Sequence, residues 1–278
     1  MKLLRVGPSG AERPALLAED GRLLDLSGLT GDIDGAFLAG GGPDRVRAER
    51  SLPEITGPVR YGPPVARPGK VVCVGLNYRD HAEESGAEIP TEPVVFMKAA
   101  NTVVGPDDEV LVPRRSRKTD YEVELAVVIG ATARYLEPGA AAGVIAGYAV
   151  SNDVSEREFQ LERGGTWDKG KSCETFNPLG PWLVTADEVG DPQDLGMRLW
   201  VDGELRQNGN TKNMIFGVYE VVEYLSQFMV LEPGDVINTG TPAGVALGIG
   251  EAAYLRAGMT VEVEIDRLGR QRQTVGQA

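Results

Sequence analysis

Apolar residues in this chain come mostly in short runs bounded by glycine, proline and charged residues, the signature of strands more than of helices. Such runs predict strands over residues 70–76, 94–98, 121–129, 144–150, 198–202, 235–238 and 260–265. Asp-Gly pairs mark tight hairpin turns, Asp20-Gly21 between Ala15-Leu16-Leu17 and Leu23-Leu24, and Asp202-Gly203 after Val201. One stretch has the other period. Ile215, Val218, Val222, Leu225 and Met229 recur at helical spacing against Glu220, Glu223 and Gln227, which predicts a helix over about 215–229. Residues 1–56 read as a small α+β unit, and the breakers Gly57, Pro58, Gly62, Pro63, Pro64, Pro68 and Gly69 form a connector. The boundary falls near residue 67, giving a small N-terminal domain with its connector over 1–67 and a larger domain over 68–278. Strands do not alternate regularly with helices, so Rossmann and TIM-barrel layouts are disfavoured. The expected class is mixed α+β, predominantly β, without internal repeats.

The 121–129 run departs from its own pattern. Glu122 and Glu124 alternate with Tyr121, Val123 and Leu125, so on a strand both carboxylates point to one face, and the wholly apolar Ala126–Ile129 that follows reads as a central strand. Two like charges within about 7 Å on a dry element are costly unless a cation compensates them, and a divalent metal is the expected compensation. Asp153, at the end of the 144–150 strand, is a third carboxylate. It also fits a helix cap, with Glu156 completing a capping box. Together Glu122, Glu124 and Asp153 form the hard oxygen set preferred by Mg²⁺, Mn²⁺ or Ca²⁺.

Three further segments carry chemistry. The single histidine, His81, follows the 70–76 strand, with Glu84 one helical turn on, placed to orient the imidazole or share a water with it. Ser85–Pro93, with Gly86, Pro90 and Pro93, reads as a mobile lid. Gly165–Ser172 matches the phosphate-loop pattern residue for residue, but no buried strand precedes it and Asn177-Pro178-Leu179-Gly180-Pro181 forbids a long helix after it, so nucleotide binding ranks low. Lys171 in that loop remains a cation able to neutralise an enolate or carboxylate. Asn238–Val245 ends a strand in small residues and hydroxyls, where backbone N–H groups and Thr241 can receive a carboxylate, or simply make a tight turn.

Composition narrows the partners. The 278 residues are 42% hydrophobic and 25% charged, ordinary for a soluble protein, and a net charge of -13 disfavours nucleic acid and anionic membranes. Two cysteines without disulfide or zinc spacing fit a reducing compartment. With no apolar stretch of signal-peptide or membrane-spanning length, a cytoplasmic location is expected.

Assembled, these residues resemble the fumarylacetoacetate hydrolase family over about residues 68–278. Its E-x-E strand is matched by Glu122 and Glu124, its N-D-x-S-x-R-x-x-Q segment by Asn152, Asp153, Ser155, Arg157 and Gln160, its K-S loop by Lys171 and Ser172, and its T-G-T-P-x-G-V turn by Thr239 to Val245. The resemblance implies the family's β-roll behind a small N-terminal domain, a homodimer, and a metal held by Glu122, Glu124 and Asp153. It further implies His81 and Glu84 as the lid dyad of the acylpyruvase-like branch, with Tyr78, Arg157, Gln160 and Thr241 as substrate contacts and Lys171 beside the reacting groups. Where fumarylacetoacetate hydrolase adds an upstream aspartate ligand, this chain has Asn77 and Tyr78, which turns the expectation away from that substrate. The Ser155–Lys171 stretch is similar to a branch labelled ureidoglycolate lyases or 2,4-diketo-3-deoxy-sugar-acid hydrolases. The implied reaction is metal-dependent cleavage of the C3–C4 bond of a 2,4-diketo acid to pyruvate and a small hydroxy acid. Oxaloacetate decarboxylation, 2-hydroxydienoate isomerisation and ureidoglycolate cleavage are the alternatives on the same site, and a non-catalytic ligand-binding module ranks below them.

Overall fold

In the computed structural model, which describes residues 1–86 and 88–278, the chain is mixed α+β and built mostly of strands. Ala87, inside the expected Ser85–Pro93 lid, lies outside the described residues. The main sheet runs Glu54–Ile55, Leu23–Asp25, Arg13–Leu17, Lys2–Val6, Asn177–Thr185, Ile145–Asn152, Val123–Ile129, Val236–Asn238, Val71–Gly75, Val94–Lys98. Neighbours along this path are antiparallel except Val236–Asn238 and Val71–Gly75, which run parallel. A second sheet orders Glu204–Asn210, Gly196–Val201, Thr260–Ile265, Gly269–Gln277 and Val110–Val112.

The alternation of the central strand decides what faces what. Val123, Leu125, Val127 and Ile129 enter the main core, packed with Met197, Leu199, Val261 and Val263 of the second sheet and with Val218, Val221, Val222 and Leu225 of a helix. Each such side chain contributes about 1.5–3 kcal/mol on burial. Glu124, Ala126 and Val128 point the other way, and Ala126 packs with Cys73, Phe96, Ala149 and Leu179. One strand therefore anchors the core with one face and presents a carboxylate with the other.

The hairpins form where Asp-Gly pairs predict them, and Asp202 and Gly203 both take positive φ, as the tight turn between Gly196–Val201 and Glu204–Asn210 requires. The expected 215–229 helix shrinks to Val218–Leu225. Its N-terminal part is held by Asn77 instead, whose carbonyl accepts from the Ile215 N–H and whose side-chain oxygen accepts from the Phe216 N–H. At the other end Leu231 pairs with Ala133. Asn177–Thr185 forms no helix, as expected, yet it is a nine-residue strand in the middle of the sheet, which its two prolines had hidden. The sheet accommodates them with a register shift opposite Tyr148 and Val150. The first 67 residues join the same sheet through Lys2–Val6 paired with Asn177–Thr185, and Leu3, Leu26, Ile33 and Phe37 pack with Val128 and Leu183. No helix among the described residues is long and apolar enough to cross a membrane.

Candidate active site

The acidic cluster assembles at one end of the main sheet. Val123–Ile129 starts one residue after Glu122, whose backbone is clipped to the neighbouring strand: the Asp153 N–H donates to the Glu122 carbonyl at 2.9 Å, and the Glu122 N–H donates to Asn152 Oδ1 at 3.1 Å. Glu124 sits opposite Ser151 in the ladder. Glu122, Glu124 and Asp153, all buried, thus bring one ligand oxygen each to within 4.8 Å of one another. Asp153 caps no helix, and Glu156 does not reach back to it; its carboxylate instead accepts from Ser116, Thr119 and the Lys118 N–H.

The charge compensation differs from the sequence expectation of a metal alone. Arg157, buried, donates from Nη2 to Glu122 at 2.6 Å and from Nε to Asp120 at 2.8 Å. Lys171 donates to Glu122 at 2.6 Å and to Asp153 at 2.7 Å, and Lys98 makes a very short contact to the other oxygen of Asp153. Burial alone would raise the Glu122 carboxyl, but Lys171 and Arg157 hold it down at about 2. Burial lowers and the carboxylates raise the Lys171 ammonium, with a net upward shift. Glu124 is the exception. It accepts one backbone N–H, from Gly240 at 2.7 Å, and makes no ion pair among the described residues; burial first, then Asp153 and Glu122, push its carboxyl well above the usual range. The protein thus brings four buried carboxylates together with three buried cations, and the unpaired one faces the cavity. A divalent cation fits this donor set, because it supplies the charge that the side chains withhold from Glu124.

The cluster opens onto a cleft whose lining includes His81, Gln160, Lys171, Gly240 and Thr241. His81 lies on the helix Arg79–Ser85, with Nδ1 3.5 Å from Glu84 Oε2, at the long limit of a hydrogen bond. Both Glu84 oxygens accept the Gly244 N–H, at 3.1 and 3.0 Å. Burial raises the Glu84 carboxyl, but the bonds from His81 and Gly244 outweigh it and hold it below its ordinary value. Gln160 Oε1 accepts from Arg157 at 3.0 Å, and Thr241 Oγ1 accepts from Gln207 at 2.8 Å, which fixes both side chains at the cavity wall.

Tyr78 is not there. It is fully buried in the main core, where its hydroxyl donates to Met197 Sδ at 3.0 Å, because the turn between the Val71–Gly75 strand and the Arg79–Ser85 helix sends residue 78 inward. The phosphate-like loop also resolves differently from its pattern: it follows a π-helical turn, Glu158–Glu162, and continues as the four-residue helix Asp168–Lys171. Asp168 accepts the Met97 N–H and Ser172 the Ala99 N–H, tying the loop to the Val94–Lys98 strand, and Lys171 is spent on carboxylates.

Two buried charges were missed. Lys98 closes a run in which Phe96 and Lys98 share a face, so a lysine at that end was a readable signal. Asp120 continues the alternation of Glu124 and Glu122 backwards by two, and it accepts the Ala246 N–H at 2.7 Å, the Leu247 N–H at 3.0 Å and Arg157.

Comparison with known proteins gives the family. Residues 70–276 match the family model described as fumarylacetoacetate (FAA) hydrolase C-terminal, and the chain belongs to that family. It is 52% identical to a protein of Burkholderia ambifaria named "Putative hydrolase", over the full length of both. Among solved structures it is similar to the fumarylacetoacetate hydrolase of the psychrophile Exiguobacterium antarcticum, with a TM-score of 0.86 and 35% identity, covering all of both chains. It is also similar to the maleylpyruvate hydrolase of Sphingobium sp. SYK-6, solved with manganese(II) and pyruvate, with a TM-score of 0.82 and 30% identity, again covering all of both chains.

Proposed function

We propose that this protein is a divalent-metal-dependent hydrolase that cleaves the C3–C4 bond of a 2,4-diketo acid, releasing pyruvate and a second carboxylic acid. The observation that carries the reading is the buried triad Glu122, Glu124 and Asp153, in which Glu124 makes no ion pair among the described residues, opening onto a cleft that also holds His81. Those three residues would hold Mg²⁺ or Mn²⁺, with Ca²⁺ also compatible with the all-oxygen set. When bound, the ion supplies Lewis-acid polarisation of a 2-oxo acid's oxygens.

The chain's own groups supply the rest. His81, with Glu84 behind it fixed on the Gly244 N–H, takes a proton from a water that adds to the 4-carbonyl. The C3–C4 bond then breaks, its electron pair stays on C3, and a proton taken up there completes pyruvate. The oxygen from water leaves with the acyl carbon as a carboxylic acid. Lys171 balances the negative charge that gathers on the departing pyruvate fragment, and Gln160 and Thr241 orient the substrate at the wall. The pyruvate bound in the Sphingobium relative supports a 2-oxo acid as one half of the substrate.

The test is to strip the protein of metal, restore Mg²⁺ or Mn²⁺, and identify products from acetylpyruvate and oxaloacetate. Pyruvate plus acetate that appear only with metal supports the reading. Turnover of oxaloacetate alone, to pyruvate and CO₂, with acetylpyruvate left intact, would redirect it to decarboxylation.

A further inference from the structure

Two chemically different sets of side chains line the cleft. Glu122, Glu124, His81, Gln160, Lys171 and Thr241 form the polar set, and Leu76, Phe96, Leu161, Trp167 and Leu247 form an apolar wall that meets it where the Lys171 ammonium lies 5.1 Å from the Phe96 ring centroid. Trp167 and Phe96 meet edge to face, with centroids 5.4 Å apart at 62°. The indole reaches that position by lying on bare backbone. A Cβ on Gly75 would stand 2.4 Å from Trp167 Cζ3, so a glycine at the end of the Val71–Gly75 strand is what seats the ring. Leu161 and Leu247 are 48% and 39% exposed at the same cleft, a cost in water that a ligand lying on them would recover.

The cations at this cleft are already shared. Arg157 is held by Asp120 and Glu122, and Lys171 by Glu122 and Asp153 beside the pyruvate half, so a second substrate carboxylate on the tail would have to compete with two buried carboxylates for either one. A polyhydroxylated tail would lie against leucines and aromatic rings and lose its water without replacement bonds, at a penalty of a few kcal/mol per hydroxyl.

From this wall, and resting on the reaction proposed above, we infer that the substrate carries an apolar alkyl or aryl group beyond C4, and that Trp167, seated on Gly75, selects it. The favoured class is thus acylpyruvates with hydrocarbon tails, over 2,4-diketo-3-deoxy sugar acids and over diketo acids ending in a second carboxylate.

Two measurements on the Mg²⁺-loaded protein test this. In the first, kcat/KM is compared across acetyl-, butanoyl-, hexanoyl- and benzoylpyruvate, a 2,4-diketo-3-deoxy sugar acid and maleylpyruvate. The expectation is a rise of about fourfold per added methylene until the wall is filled, with the hydroxylated and carboxylated compounds below acetylpyruvate. In Trp167→Ala the hexanoyl-to-acetyl ratio falls by about tenfold. A flat series, or preference for the sugar acid or maleylpyruvate, overturns the inference while leaving C–C hydrolysis intact. In the second, tryptophan fluorescence follows binding of pyruvate, 2-oxooctanoate and 2-oxoglutarate, with Trp167→Phe identifying the reporter. Tighter binding of 2-oxooctanoate, through Trp167, supports the wall even if no diketo acid is cleaved, in which case only the reaction falls. Equal affinities for the three acids overturn it.

Discussion

The backbone N–H of Asp153 donates to the carbonyl of Glu122 at 2.9 Å, so two carboxylates 31 positions apart are held together by main chain before any ion is involved. The side chains then lock the arrangement through Lys98 and Lys171, both buried, which share Asp153. Among the described residues Asp153 is thereby the sole side-chain anion paired with Lys98, and one of two paired with Lys171.

Removing that carboxylate strands buried positive charge. Asp153→Ala is expected to lower unfolding free energy by about 3–5 kcal/mol, the usual cost of breaking a buried pair by deleting one partner. Urea unfolding measures it. A loss under about 1 kcal/mol would mean that the two lysines find water or other acceptors, and that the network is looser than its geometry.

Glu124 should behave in the opposite way. Its carboxyl is pushed up by burial and by Asp153 and Glu122, so the folded state holds its proton more tightly than the unfolded chain does. Such a group favours folding most below its ordinary value of 4.5 and loses that advantage as pH rises. At neutral pH without metal, Glu124→Gln is therefore expected to match or exceed the wild type in stability. It should also abolish the metal response. Wild type in Mn²⁺ at a hundred times Kd gains about 2.7 kcal/mol, or roughly 5–10 °C in Tm, and the variant gains none. Differential scanning calorimetry with and without Mn²⁺ reads both effects, and an unchanged metal shift in Glu124→Gln removes that residue from the ligand set.

Much of this was legible in the sequence because strand alternation is a strong, local signal. Glu122 and Glu124 stood out against Val123, Leu125 and Val127, and the strand edges at Val94–Lys98 and Thr260–Ile265 fall where the apolar runs end. What could not be read was which cations meet which anions. Lys98 lies 55 positions from Asp153, and only the pairing of Val71–Gly75 with Val94–Lys98 brings it in. Tyr78 failed for a related reason: a residue beside the site histidine looks like a site residue, while the turn at the strand end sends its ring into the main core. Asn177–Thr185 was hidden because local rules penalise proline, whereas the sheet absorbs it at a bulge.

The His81–Glu84 pair gives the sharpest separation between reactions. Hydrolysis needs a base to activate water, and decarboxylation of oxaloacetate does not, so His81→Ala is expected to lose about 10²–10⁴-fold in acylpyruvate hydrolysis while decarboxylation falls by less than about tenfold. Glu84→Gln keeps the shape and removes the charge, and a loss of about 10–100-fold in kcat with little change in KM marks a residue that positions the imidazole. The same variant has a stability signature with a definite sign. The Glu84 carboxyl lies below its ordinary 4.5 in the folded protein, so its contribution is complete above that pH and disappears as pH falls through the folded value. Thermal unfolding of wild type and Glu84→Gln should therefore differ most near neutrality and converge in acid. A difference that widens as pH falls below 4.5 would show that Glu84 is not held as the anion on the Gly244 N–H, and would remove the basis for its role behind His81.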